Sequence, residues 1–295
     1  MNDTTYAQTM ASLIVASPAE AYDTATLHKA KLHLLDTLGV MVAGSRAPET
    51  TLIRAALGIT ADHGGQSYLC GDTAMCDSRT AALVNGVAAH AYELDDSGGC
   101  DHSGAVVVPA LLALTDGLST PVSGMWWLHA MIQGYEVGRR VLEACGGYEP
   151  HNGVGWHSTG TCGAFGATAA TTVLMHGDSA RMAHALGIAC SYAGGTWSFI
   201  HDGSHTKKLH AGRAAEAGVC AAQLAQHGFH GPHAIFEPTQ WGNFFRTYGA
   251  IDADPQCLTT RWGEFWRINR CSIKPYATCR GSHSGIDAIS QMMQM

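Results

Sequence analysis

The sequence predicts an all-α protein, a large domain of many packed helices. Two observations predict it. Apolar residues recur at helical spacing through almost the whole chain. Asp or Ser starts and Gly stops punctuate that pattern, and alternating runs of the kind a strand needs are missing until the last thirty or so residues.

Taken in order, "TATLHKAKLHLLDTLGVMVAGS" sets Leu27, Leu34, Leu35, Leu38 and Val42 on one broad stripe and stops at Gly44, a C-terminal cap. "DSRTAALVNGVAAHAYELDD" begins at an Asp77/Ser78 cap. "SGMWWLHAMIQGYEVGRRVLEACGG" starts at Ser123 and ends at a glycine pair. "STGTCGAFGATAATTVLMHG" runs to Gly177, "DSARMAHALGIACSYAGG" follows with another Asp/Ser start, and "HAGRAAEAGVCAAQLAQHG" ends at Gly228. Glycines inside these helices, such as Gly86, Gly134 and Gly166, each cost up to about 1 kcal/mol against alanine and imply close helix contact. "FWRINRCSIKPY" reads as a strand. "SHSGIDAISQMMQM" then starts a helix and stops without a cap, as a chain cut within a domain would.

Composition narrows the function classes. The 295 residues suffice for a large core, and 46% are hydrophobic. No 18-residue apolar stretch lacks a charge, histidine or glycine break, so no transmembrane span is expected. The first twenty residues lack the basic segment and apolar core of a signal peptide. A formal charge of −7 argues against nucleic acid as a partner. Ten scattered cysteines without a C-x-x-C pair, several of them in apolar helical runs, read as reduced core residues of a cytoplasmic protein. No metal is expected, because no ligand spacing organises the 17 histidines.

Four loops concentrate reactive side chains. "AYELDDSGGCDHSGAVVVP" packs Glu93, Asp95, Asp96, Cys100, Asp101 and His102 into ten residues, with His90 on the face of Glu93. Acids at a helix C-terminus oppose its dipole, so they imply a role; a solvated interhelical turn is the plainer alternative. "HNGVGWHSTGTCGAFGA" leads a glycine-rich loop past His157 into a helix through Ser158, Thr159 and Thr161, a start that suits an anion or simply a cap beside a packed histidine. "HDGSHTKKLHAGRAAEAG" sets Lys207, Lys208 and Arg213 at a helix start, where cations invite an anion or else lie exposed. "SIKPYATCRGSHSG" offers Lys274, Arg280 and His283. One acid, thiol and imidazole loop with three cationic loops points to a small polycarboxylate substrate, held by cations while a general base takes a proton beside a carboxylate.

The stretches "HKAKLHLLDTLGVMVAG", "AALVNGVAAHAYELDD", "GYEVGRRV", "GWHSTGTCGAFGA", "ALGIACSYAGG", "DGSHTKKLHAGRAAEAG" and "SIKPYATCRGSHSGIDA", in this order, resemble the MmgE/PrpD family over nearly the whole chain. That family includes 2-methylcitrate dehydratase, cis-aconitate decarboxylase and an iminodisuccinate epimerase. The resemblance implies a helical domain over residues 1–265, the first strand and helix of a small α/β lid over 266–295 with more lid beyond, a homodimer, and chemistry without a cofactor in the cleft between domain and lid. It implies Lys207 as the active-site lysine and places His157 in the glycine-rich motif. It puts Lys274 in the "KPYP" element, with Ala277 for its second proline, and Glu93 and Ser97 in the acidic loop, where "DFDDT" is the family pattern. The family's active-site histidine corresponds to His102 or is replaced by Asp101.

The resulting expectation is a lyase, dehydratase or decarboxylase. His102 or Cys100 acts as base or acid, and His157 as acid or orienting group. Lys207, Lys274 and Arg280 hold carboxylates, with Glu93, Ser97 and Thr159 also contacting substrate. A thiol beside a histidine and lysines has a lowered pKa, so an epimerase using Cys100 in a two-base pair is the first alternative. A helical scaffold that only dimerises is the second.

Overall fold

In the computed structural model of the protein, residues 4–60, 63–249 and 252–295 are described. The helices are α1 (Tyr6–Ala16), α2 (Thr24–Gly44), α3 (Pro48–Ala56), α4 (Ser78–His90), α5 (Ser103–Thr115), α6 (Gly124–Ala144), α7 (Tyr148–Gly153), α8 (Ser158–Thr161), α9 (Gly163–Leu174), α10 (Ser179–Cys190), α11 (Thr206–Gln226), α12 (Phe244–Tyr248) and α13 (His283–Met292). A two-stranded antiparallel pair, β1 (Ser67–Tyr68) with β2 (Met75–Cys76), is the one sheet among the described residues. The chain is therefore all-α, as its periodicity predicts. Among the described residues no helix is long and apolar enough to cross a membrane.

The starts follow from capping chemistry. Asp23, Asp77, Ser123 and Asp178 each accept a backbone N–H in the first turn of α2, α4, α6 and α10. The helix expected from Ser158 to Gly177 divides at Cys162, which ends α8 and starts α9.

Glycine seams set the packing. A Cβ on Gly86 of α4 would stand 2.7 Å from the Gly212 Cα of α11. On Gly134 of α6 it would stand 2.9 Å from the Gly166 carbonyl oxygen of α9, and on Gly166, 2.7 Å from the Gly134 oxygen. The helices thus meet backbone to backbone, and α5, α9 and α11 form a buried centre whose side chains are mostly Ala, Val, Gly and Thr.

Two expectations are corrected. Helix α2 buries its leucine stripe only in part: Leu27, Leu34 and Leu38 pack half-buried against the core, but Leu35 is 67% exposed and Val42 55%. It turns Ala30, His33, Thr37, Met41 and Gly44 inward instead. The reason is steric and polar, since a Cβ on Gly44 would lie 1.9 Å from the Ala88 oxygen of α4 and His33 meets a buried carboxylate. The strand read in "FWRINRCSIKPY" is also absent. Arg267–Arg270 form a 3-10 turn, and a single antiparallel bridge joins Ser272 to Ser97. The basic residues of this turn face α6, where Arg267 bonds Glu136 and Glu143. Arg140 of α6 is wholly buried and donates to Glu136 and to the carbonyls of Cys257 and Thr260. That clamp carries the segment after residue 255 to the mouth of the site.

Gly166→Val should overpack the α6/α9 seam and cost about 1–3 kcal/mol, read as a lowered denaturation midpoint. Gly39→Ala should stabilise by up to about 1 kcal/mol, because Gly39 lies exposed within α2 with nothing within 4 Å of its Cβ position. Equal effects from the two would contradict the seam.

Candidate active site

Between α4 and α5 runs the acidic loop, residues 91–102, and each acid has a distinct partner. Asp96 is fully buried and accepts from Gly104 N–H at 2.9 Å, Tyr135 O–H at 2.7 Å and His33 Nδ1 at 3.0 Å. It therefore sits at the N-terminus of α5, where the dipole favours an anion. The expected clash with a helix C-terminus does not arise, since α4 has already ended at His90. Asp95, also buried, lies 2.8 Å from His90 Nδ1 and 2.8 Å from His102 Nδ1. His102 Nδ1 is also 3.1 Å from the Asp96 carbonyl, and the alignment suits that carbonyl. The Asp95 contact is thus chiefly electrostatic. On the other side of the ring, Nε2 lies 3.3 Å from Asp101 Oδ2.

Burial and charge compete over the protonation of these rings. Burial opposes the His102 cation, but Asp101 and Asp95 together outweigh it and raise its pKa. His90 goes the other way, lowered by burial despite Asp95. His157 is held well below the usual range, first by burial and then by the charge on His102. Its Nδ1 faces Nδ1 of His210 at 3.0 Å, and its Nε2 points towards Asp101 at 3.9 Å. The site sets a histidine whose protonated form is favoured beside one whose protonated form is disfavoured, and Asp101 stands between them. Asp101 adopts φ 110°, a conformation that costs a non-glycine residue on the order of 1–3 kcal/mol.

Lysines close the back. Lys207 Nζ lies 2.6 Å from Glu93 Oε2 and 5.8 Å from the Trp197 and Phe199 ring centres. Lys208 lies 3.5 Å from Glu93 Oε1, and Lys274 donates to the Glu93 carbonyl. Burial would raise the Glu93 carboxyl, yet the Lys207 bond and charge bring it down to about 2.

A cavity of about 630 Å³ opens over this network. Ser97, Asp101, His102 and Lys207 line it, joined by Arg139, Tyr148, Trp197, Arg270, Cys279 and Arg280. Arg280 Nη1 reaches Ser97 Oγ at 3.4 Å. Sequence reasoning missed Arg139 and Arg270; both pair with Glu143, four residues from the one and far in sequence from the other. Only the glycine-pair stop after α6 placed Arg139 near a helix end, and no local signal marked Arg270. His33 and Tyr135, which hold Asp96, were missed for the same reason.

Three expected site residues stand elsewhere. Cys100 lies off the cavity wall, wholly buried beside Gly138 and Gly163, with its sulfur accepting from Ser103 O–H at 3.3 Å. Burial pushes its thiol up, the reverse of the activation expected of a thiol base. Thr159 is buried within α8 and does not line the cavity. Glu93 is the counter-ion of Lys207 and also lies off the wall. Lys274 and His157 stand just behind the lining residues. Two donor sets, His90/Asp95/His102 and Asp101/His102/His157, are tight enough for a metal ion. Their carboxylates already balance charge on the His102 ring.

A family model described as the MmgE/PrpD N-terminal domain matches residues 8–254. The chain is 30% identical over 282 residues to the cis-aconitate decarboxylase-like protein oryM of Aspergillus oryzae, covering 91% of this chain and 57% of that one. It is 29% identical over 279 residues to the cis-aconitate decarboxylase of Aspergillus terreus, with 91% and 56% covered. Against the human cis-aconitate decarboxylase it is 31% identical over 199 residues, with 65% and 39% covered. The chain spans about half the length of the Aspergillus relatives it matches.

The Glu93 carboxylate is depressed, so its contribution to stability is present above its unfolded value near 4.5 and is lost as pH falls towards about 2. Denaturant titrations across that window should show a steeper loss in wild type than in Glu93→Gln. Parallel curves would mean that the Lys207 pair adds nothing.

Proposed function

The chain belongs to the MmgE/PrpD family, and from that premise we propose that it is a cofactor-independent lyase of small polycarboxylates, with decarboxylation of an unsaturated tricarboxylate of the cis-aconitate type as its reaction. The observation that carries this reading is His102, whose protonated form is favoured by Asp101 and Asp95, on the wall of a cavity that also presents Arg139, Arg270, Arg280 and Lys207. A tricarboxylate carries three negative charges, and such walls match it in sign. Guanidinium groups take carboxylates in a two-pronged grip. The names of the relatives support the choice of decarboxylation over dehydration.

The chemistry follows from the charges. The bond from carbon to the departing carboxylate breaks, CO2 leaves, and the electron pair spreads into the neighbouring unsaturated carboxylate. Lys207 and Arg280 stabilise that developing charge in a partly enclosed space. The His102 Nε2–H, shared with Asp101, supplies the proton to carbon. Neutral His157 keeps a second positive charge out of the floor, which favours the protonated form of His102. Ser97 steadies Arg280.

Turnover should be followed by proton NMR in D2O with a panel of small tricarboxylates. The product should carry one deuterium, at the carbon that lost CO2 or, if the double bond shifts, at the carbon beside the carboxylate that took up the electron pair. His102→Gln should lower kcat by about 10²–10⁴-fold, and Arg280→Gln should act mainly on KM. Cys100→Ser should stay near wild type. Full activity in His102→Gln, or loss of activity confined to Cys100→Ser, would overturn the assignment.

A further inference from the structure

A second cluster, outside the cavity, has the composition of a metal site. Cys145 follows the last turn of α6, His151 lies in α7, and Cys162 is the hinge between α8 and α9. All three are wholly buried, and one donor atom from each lies within 4.8 Å of the other two. That spread is close to what bonds of about 2.3 Å to sulfur permit. The imidazole is unevenly satisfied. His151 Nε2 meets Thr161 Oγ1 at 2.7 Å, while Nδ1 makes no well-aligned hydrogen bond among the described residues, although the ring also interacts with the Cys162 thiol and the Tyr248 backbone. A buried ring nitrogen without a well-aligned hydrogen bond keeps its lone pair free for a metal bond.

We propose that Cys145, His151 and Cys162 bind a divalent thiophilic cation, Zn2+ in the reduced protein. Charge selects the class. Two thiols lose their protons to solvent as the ion binds, and two thiolates with a dication are neutral, the form a dry interior accepts. A monovalent ion would leave a buried negative charge. Softness selects zinc over magnesium or calcium, which take oxygen donors. Thr161 supplies the outer contact that orients a ligating imidazole, and its own hydroxyl leans on the His157 carbonyl at 3.4 Å. The ion would thereby pin α6, α7 and α8 together one turn away from His157. Each spacing in the sequence is too irregular to announce the site, which the fold alone assembles.

The test uses the whole chain, purified reduced and loaded with Co2+ as the spectroscopic substitute. One equivalent per chain should give a sulfur-to-cobalt charge-transfer band in the near ultraviolet, and Zn2+ should bleach it. Cys145→Ser and Cys162→Ser should each abolish the band, and Thr161→Val should weaken Co2+ affinity by about 10–100-fold. The wild-type spectrum stands by itself should either serine variant fold poorly. Absence of the band in reduced wild type at excess Co2+ would overturn the proposal. So would a band that survives in Cys162→Ser. A thiol titration of the unfolded, unreduced chain that falls two short of ten cysteines and is restored by reductant would point to a disulfide instead.

Discussion

The Asp96 carboxylate holds the site together. It is a buried anion with three donors, one each from α2, α5 and α6. Hydrogen bonds to a charged acceptor are each worth about 1.5–3 kcal/mol, and a buried carboxylate that loses its donors is strongly destabilising. Because Asp96 is fixed, its carbonyl is fixed, and that carbonyl receives the His102 ring. Asp95 next to it is then turned between His90 and His102. Two adjacent acids thus divide the work. One fixes the loop to the helices, and the other sets the charge of the ring that faces the cavity.

The same economy governs the rest of the interior. Buried charge appears in matched sets: Glu136 with Arg140 and Arg267, Glu93 with Lys207 and Lys208, Asp95 with His102. The first two sets also join segments far apart in the chain. The apolar centre is built of small residues with little shape to specify register, so the glycine seams fix how near the helices come and the ion pairs fix which residues face each other.

Much of this was legible in the sequence. Asp77, Ser123 and Asp178 announced the starts of α4, α6 and α10, because a cap is a local interaction. Gly86, Gly134 and Gly166 announced close packing. The acidic loop announced itself by density of charge, and His102, Asp101, Ser97, Lys207 and Arg280 do meet around one cavity. What failed was decided by tertiary partners. The stripe of α2 misled because His33 and Gly44 answer to Asp96 and Ala88 rather than to hydrophobicity. The strand before Lys274 misled because its arginines are bound to α6. Cys100 misled because a string of letters does not say which side of a loop faces the protein, and burial raises a thiol's pKa where nearby cations would lower it.

The connections across the site have a consequence for how the molecule comes into being. Lys207 meets Glu93 across 114 residues, Lys274 meets the same residue across 181, and Arg280 meets Ser97 across 183. Closing such loops is slow compared with winding a helix, and it is rewarded only when both ends are already in place. A chain emerging from the ribosome can complete α4 and α5, bury Asp96 and charge His102 long before Arg270 and Arg280 exist. Until they arrive, the cationic wall has no far side. The cavity is thus a late product of folding, and its presence certifies that everything before it has found its place.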